Sequence, residues 1–168
     1  MTETPTADLP SEVERAVERI LRRACDADLR LATAESCTGG LLASLLTDVD
    51  GCSHAFERAF VCYTDESKRE MLGVDAALLE RHGAVSQPVA RAMAEGALDR
   101  SRADIAMAVT GFAGPTSDAG EEGLVHFACA RRGRPTAHRE AHYGPIGRGG
   151  VRLACLRTAA EMLEQAVG

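Results

Sequence analysis

Glu35-Ser36-Cys37-Thr38-Gly39-Gly40 stands between an apolar run at 29–34 and a leucine-rich run at 41–46. Taken locally, this is a strand, a tight turn of small polar residues, and a helix. Gly39 and Gly40 let the backbone come close to a ligand and adopt angles that other residues avoid. The helix that follows would aim unpaired N–H groups and the positive end of its dipole at whatever lies over Ser36. A hydroxyl and a thiol beside such an anion site point to chemistry. The plainer alternative is that Ser36 or Thr38 simply caps the helix.

Upstream of this stretch, Val13, Ala16, Val17, Ile20, Leu21 and Ala24 recur at helical spacing, with Pro10 or Ser11 as the start. Residues 1–10 read as a flexible tail. Downstream, the pattern predicts a strand at 55–63 and a helix opened by Thr64-Asp65-Glu66 and closed by Gly73. A short helix at 75–81 and a longer one from Ser86 follow. Residues 103–109 form a nearly unbroken apolar run ending in Thr110-Gly111, the mark of a central strand buried on both faces. After a loop at 112–122, two strands at 123–130 and 136–143 form a hairpin about the turn at 131–135. The final helix runs from Gly147 or Gly150 to 166. Together these predict an α/β fold, a three-layer α/β/α sandwich with a mixed, mostly parallel sheet. One domain would fill 11–168 behind the tail at 1–10.

Composition sets limits on partners. The 168 residues are 45% hydrophobic and 26% charged, with no Trp, two Tyr and four Phe. That is ordinary for a globular chain, with an aliphatic core. A formal charge of -6 argues against a general nucleic-acid or membrane-surface binder. An anionic small molecule remains open, since a few arginines in one cleft suffice. No apolar run approaches the roughly 18 residues of a spanning helix. The start of the chain is polar and acidic, unlike a signal peptide. Six cysteines without C-x-x-C spacing, mostly in apolar stretches, fit free thiols in a reducing cytosol.

Two further stretches carry chemistry. Tyr63 ends a predicted strand, and Lys68 falls in the first turns of the next helix, where the dipole and burial both disfavour its charge. A neutral lysine amine can take a proton from a serine hydroxyl, so Ser36 and Lys68 suit a nucleophile and base, with Tyr63 relaying or orienting. The plainer alternative is a solvated lysine and a tyrosine at the core's edge. Thr110-Gly111-Phe112-Ala113-Gly114-Pro115 follows the buried strand and would line the same sheet edge with backbone N–H groups.

These stretches in order resemble the C-terminal domain of the CinA (competence/damage-inducible) family. The resemblance runs from about Ser11 to the end. It rests on Ala34-Glu35-Ser36-Cys37-Thr38-Gly39-Gly40, Tyr63-x4-Lys68, Gly83-Ala84-Val85-Ser86 with Ala94-Glu95-Gly96 beyond it, and Thr110-Gly111-Phe112-Ala113-Gly114-Pro115. It implies an amidohydrolase that converts nicotinamide mononucleotide to nicotinic acid mononucleotide and ammonia, in pyridine-nucleotide salvage. The family's serine, lysine and tyrosine match Ser36, Lys68 and Tyr63. Substrate contacts are then expected from Glu35, Thr38, Gly39, Gly40, Thr110, Gly111, Gly114 and Arg148, with N–H groups near 38–40 holding the oxyanion. The chain departs from the family pattern in two places. The loop at 116–123 lacks a glycine pair and a Lys-Pro. Ile146-Gly147, where the family commonly has Gly-Asp, precede Arg148 and Arg152. The family's longer members carry a molybdopterin-binding-like domain whose activities are not transferred to these residues.

The expected partners are a small-molecule nucleotide and further copies of the chain, with no nucleic acid, membrane, cofactor or metal, in the cytoplasm. A catalytically silent nucleotide-binding regulator of the same fold is the alternative. Cys37 is a competing nucleophile, since a thiolate at a helix start is activated. His138 and His142 share one face of a strand but lie roughly 13 Å apart, too far for one metal ion.

Overall fold

The computed structural model describes residues 9–116 and 120–168. Most of the expected tail, and residues 117–119 of the loop at 112–122, lie outside the described residues. The elements are α1 (Ser11–Asp26), β1 (Leu31–Glu35), α2 (Leu41–Leu45), β2 (Phe56–Val61), α3 (Asp65–Leu72), α4 (Ala76–His82), α5 (Gln87–Asp99), β3 (Ile105–Gly111), β4 (Leu124–Arg131), β5 (Ala137–His142) and α6 (Gly147–Val167).

The five strands form one sheet in the order β2-β1-β3-β4-β5. β1 pairs in parallel with both β2 and β3, whereas β4 is antiparallel to β3 and to β5. Four strands therefore run one way and β4 runs back, the mixed sheet expected from helical crossovers followed by a hairpin. Helices cover both faces. On one side Leu31, Ile105, Met107, Val109, Val125 and Phe127 meet α1 and α6; on the other Ala32, Ala34, Ala106, Ala108 and Ala128 meet α5. Each large aliphatic side chain buried there contributes roughly 1.5–3 kcal/mol. The small alanines on the second face let α5 pack close to the sheet.

Local chemistry sets the boundaries that matter for function. Thr64 and Ser67 form a reciprocal capping box at the start of α3, and Gly73 ends it with φ 68°. α2 is only five residues long, shorter than the helix expected at 39–47. Gly39 and Gly40 both hold positive φ, 61° and 94°, so the helix begins only at Leu41. β1 likewise begins at Leu31, because Asp28, with φ 53°, and Leu29 are still closing α1.

Because β2, β1 and β3 are parallel, the segments that follow them leave the sheet at one edge. The turn at Ser36, Tyr63 with the start of α3, and Thr110-Gly111 thus converge where open α/β sheets bind ligands.

Candidate active site

A cleft of about 420 Å³ opens at this carboxyl edge. Ser36, Tyr63, Lys68, Thr110, Gly111, Gly114 and Arg148 line it, together with Cys37 and the Ala84-Val85 entrance to α5. Arg148 brings a cation and Lys68 an amine, and no carboxylate lines the cleft among the described residues. The site therefore favours a ligand carrying negative charge.

The turn that carries Ser36 is fixed by the backbone. Ser36 N–H donates to the Val109 carbonyl at 3.0 Å, tying the end of β1 to β3. Ser36 is buried, 8% exposed, and lines the cleft. Lys68 is 1% exposed. Its Nζ lies 3.2 Å from Ser36 Oγ, 3.1 Å from the Cys62 carbonyl oxygen and 3.3 Å from that of Tyr63. A neutral amine has two N–H donors and one lone pair. It can donate to the two carbonyls while accepting the Ser36 hydroxyl proton. Burial is the main cause that pushes the Lys68 pKa below its ordinary value; Asp65, near the start of the same helix, partly opposes the shift.

Tyr63 differs from expectation. The residue is 63% exposed where it lines the cleft, and among the described residues its hydroxyl bonds neither Ser36 nor Lys68. What reaches the lysine is the Tyr63 backbone carbonyl. Position at a strand end is visible in sequence; ring direction is not.

Glu35 is a second correction. It is fully buried and does not line the cleft. Its carboxylate accepts from the N–H groups of Gly40 at 3.1 Å, Leu42 at 3.1 Å and Ala43 at 2.8 Å, and from the Thr33 hydroxyl at 3.1 Å. It caps α2 from inside and takes the Gly40 N–H, one of those expected to meet a ligand. Gly39 N–H is also taken, by the Ser36 carbonyl at 3.1 Å. Thr38, Gly39 and Gly40 accordingly shape the turn but do not line the cleft.

On the opposite wall Thr110 Oγ1 donates to the Ala84 carbonyl at 2.9 Å and pins the entrance of α5. A Cβ on Gly111 would press into Val125 and the Leu124 carbonyl, so the glycine permits close strand packing. A Cβ on Gly114 would stand 2.9 Å from Arg148 Nη2, so the missing side chain is what gives the guanidinium its place.

Two residues of α6 near this site carry weight that spacing alone did not assign. Arg152 Nε donates to the Cys37 carbonyl at 2.9 Å. It lies one turn beyond Arg148, on the same helical face, which is the sequence signal for it. Cys155 sits in the same core cluster as Cys37. A hydrogen bond with Cys155 lowers the Cys37 pKa and raises that of Cys155. The Cys37 thiol is thereby engaged on the α6 side of the sheet.

His138 and His142 face different neighbours. His138 stacks on His126, with Nε2 and Nδ1 3.1 Å apart, whereas His142 bonds Glu140 and Glu121, each at 2.8 Å. Among the described residues no helix is long and apolar enough to cross a membrane.

A family model described as CinA C-terminal domain matches residues 13–167. A CinA-like protein of Akkermansia muciniphila is 57% identical over 111 residues, which is 65% of this chain and 27% of that protein. A CinA-like protein of Mycobacterium marinum is 57% identical over 105 residues, 62% of this chain and 24% of that protein. The chain thus spans only about a quarter of the length of these curated relatives. Solved structures match it end to end. The competence/damage inducible protein CihA from Agrobacterium tumefaciens has a TM-score of 0.90 at 48% identity, covering 95% of this chain and 97% of that one. A CinA superfamily protein from Escherichia coli has a TM-score of 0.85 at 33% identity, covering 98% and 94%.

Proposed function

Because the chain belongs to the CinA C-terminal domain family, we propose that it hydrolyses the carboxamide of nicotinamide mononucleotide, giving nicotinic acid mononucleotide and ammonia. The observation that carries this reading is the contact between a buried lysine amine and the hydroxyl of Ser36.

In the proposed mechanism Ser36 Oγ attacks the carboxamide carbon while Lys68 Nζ accepts the hydroxyl proton. The tetrahedral oxyanion is held by backbone N–H groups of the cleft wall, where Cys37 is the turn residue that follows Ser36 in the lining. Lys68 then returns the proton to the departing nitrogen, ammonia leaves, and Ser36 is left as an ester. Water cleaves the ester, with Lys68 again taking a proton and passing it back to Ser36. The carbonyls of Cys62 and Tyr63 keep the amine aimed throughout. Arg148, the cation across the cleft from Lys68, suits the phosphate. The exposed Tyr63 ring and Phe112 suit the flat face of the pyridine. Glu35 serves the turn and makes no contact with substrate.

Ammonia release from nicotinamide mononucleotide tests this, with free nicotinamide and glutamine as controls. Turnover confined to the nucleotide supports the reading. Binding without turnover would instead make the chain a nucleotide-binding partner protein.

A further inference from the structure

The ladder between β1 and β3 stops before β3 does. Its last pair is Glu35 with Val109, and its last hydrogen bond runs from Ser36 N–H to the Val109 carbonyl at 3.0 Å. β3 continues to Gly111. In an extended strand the N–H and C=O of one residue point to the same side, and successive residues alternate between sides. The Val109 carbonyl faces β1, so the Gly111 N–H faces that side too. Phe112 fits the alternation, since its N–H donates to the Leu124 carbonyl at the start of β4, at 2.9 Å.

In a parallel ladder the next acceptor for Gly111 N–H would be the Ser36 carbonyl. That carbonyl instead accepts from Gly39 N–H at 3.1 Å, because the chain leaves the sheet through the positive-φ glycines Gly39 and Gly40. Gly111 N–H is thereby left without an acceptor among the described residues. Both Gly111 and Ser36 line the cleft, at the ends of neighbouring strands. A Cβ on Gly111 would stand 2.8 Å from the Leu124 carbonyl, so glycine is what keeps β3 tight against β4 up to this point. Thr110, whose hydroxyl holds the Ala84 carbonyl, anchors the same peptide from the α5 side. The donor is held in place before any ligand arrives, which is the property an oxyanion site needs.

We infer that the Gly111 N–H donates to the oxyanion formed when Ser36 adds to its substrate, which makes Gly111 a catalytic residue. This rests on Ser36 being the nucleophile. Lys68 follows β2 and Gly111 ends β3, the two strands that flank β1. Proton acceptor and oxyanion donor therefore approach the attacking oxygen from opposite sides. One turn serves both, because the bend at Ser36 that breaks the ladder is also what opens the Gly111 N–H.

The test follows the Gly111 amide in wild-type protein by NMR. Thr38-Gly39 and Thr110-Gly111 are the two Thr-Gly pairs of the chain, so isotope labels on threonine carbonyl carbon and glycine nitrogen select these two amides. The probe is diethyl p-nitrophenyl phosphate, a neutral ester that phosphorylates serine nucleophiles. Ser36 Oγ bonds to phosphorus, nitrophenolate leaves, and Lys68 takes the hydroxyl proton. The phosphoryl oxygen then stands in for the oxyanion. Nitrophenolate release and the mass of the Ser36 peptide report the adduct. The Gly111 proton should move downfield on phosphorylation, while the Gly39 proton, already bonded, stays in place. Ser36→Ala should give neither adduct nor shift. In a second arm, Gly111→Ala pushes the strand end off β4 and displaces the donor. It should lower kcat for ammonia release and the phosphorylation rate by about 100–1,000-fold, the range for one lost oxyanion donor. KM should change little, with rates expressed per folded protein.

A Gly111 proton that stays put in the phosphorylated protein would overturn the inference, and so would unchanged rates in folded Gly111→Ala. The wild-type shift decides alone if the alanine variant folds poorly. Failure of Ser36 to react would remove the nucleophile and the inference with it. If Ser36 is phosphorylated yet no ammonia is released from the nucleotide, the substrate assignment falls. The amide shift then still decides the role of Gly111.

Discussion

Lys68 Nζ meets Ser36 Oγ at 3.2 Å, across 32 residues of chain. The contact exists because β1 and β2 are parallel neighbours, so the turn after one and the helix after the other leave the same edge. The lysine stem passes through the core and only the amine reaches the cleft, a placement that burial alone would not favour. Its three polar neighbours explain how the amine is accommodated.

Ser36 and Cys37 are adjacent possible nucleophiles, but only the serine touches the lysine. Ser36→Ala should lower kcat by at least about 1,000-fold, as expected for loss of a covalent nucleophile. Cys37→Ala should lower it by no more than about ten-fold, since it removes packing against α6 and leaves the attacking atom. The opposite ranking in steady-state assays would move the nucleophile to the thiol.

Glu35 holds three backbone N–H groups and a hydroxyl in a fully buried position. Glu35→Gln turns an amide NH2 toward donors and leaves a buried donor unpaired. Unfolding in urea should show a loss of about 1–3 kcal/mol. An unchanged midpoint would mean the carboxylate contributes no net hold on the turn.

Much of this was legible in the chain itself. The apolar run at 103–109 marked the central strand because burial on both faces removes the alternation of an exposed one. Thr64 and Gly73 marked both ends of α3 through capping chemistry. Ser36, Lys68 and Gly114 were visible by residue type and place. What escaped were directions. Glu35, next to Ser36, was expected to face the ligand, but its side chain turns inward to satisfy the start of α2. Tyr63 presents its carbonyl to the lysine and its ring to solvent. The Arg152–Cys37 contact joins residues 115 apart and depends on how α6 crosses the sheet edge, which local patterning does not encode.

Gly114→Ala tests the anion end of the cleft. The new Cβ would crowd Arg148 Nη2, and a flexible guanidinium can move aside with little damage to the fold. KM for the mononucleotide should rise by about ten-fold with kcat largely kept, the sign of lost uniform binding. Equal loss of kcat would place Gly114 nearer the reacting carbon.

His126 and His138 should impose a pH dependence on stability. Burial is the largest cause lowering both pKa values, and each ring also lies near the carboxylate of Glu140, which opposes the shift; His142 and Arg91 lie near as well. For a base whose pKa is lower folded than unfolded, the unfolded chain binds more protons in the window between the two values. Stability is therefore complete above the ordinary histidine pKa of about 6.5 and falls as pH drops through that window. Urea midpoints across this range should show the fall, and His138→Gln should flatten it. A flat wild-type profile would contradict the pairing.

The pH profile of kcat/KM for wild type and Lys68→Arg bears most directly on the proton transfer from Ser36 to Lys68. Burial holds the Lys68 pKa below its ordinary value of 10.5, so the wild-type rate should rise with pH through a single ionisation below that value and then level off. An arginine keeps the charge but cannot give up its proton near neutrality. Lys68→Arg should therefore be nearly as inactive as Lys68→Ala at every pH, while still binding the mononucleotide. Near-normal turnover by Lys68→Arg, with the wild-type profile unchanged, would show that Lys68 acts as a fixed charge and that the base lies elsewhere.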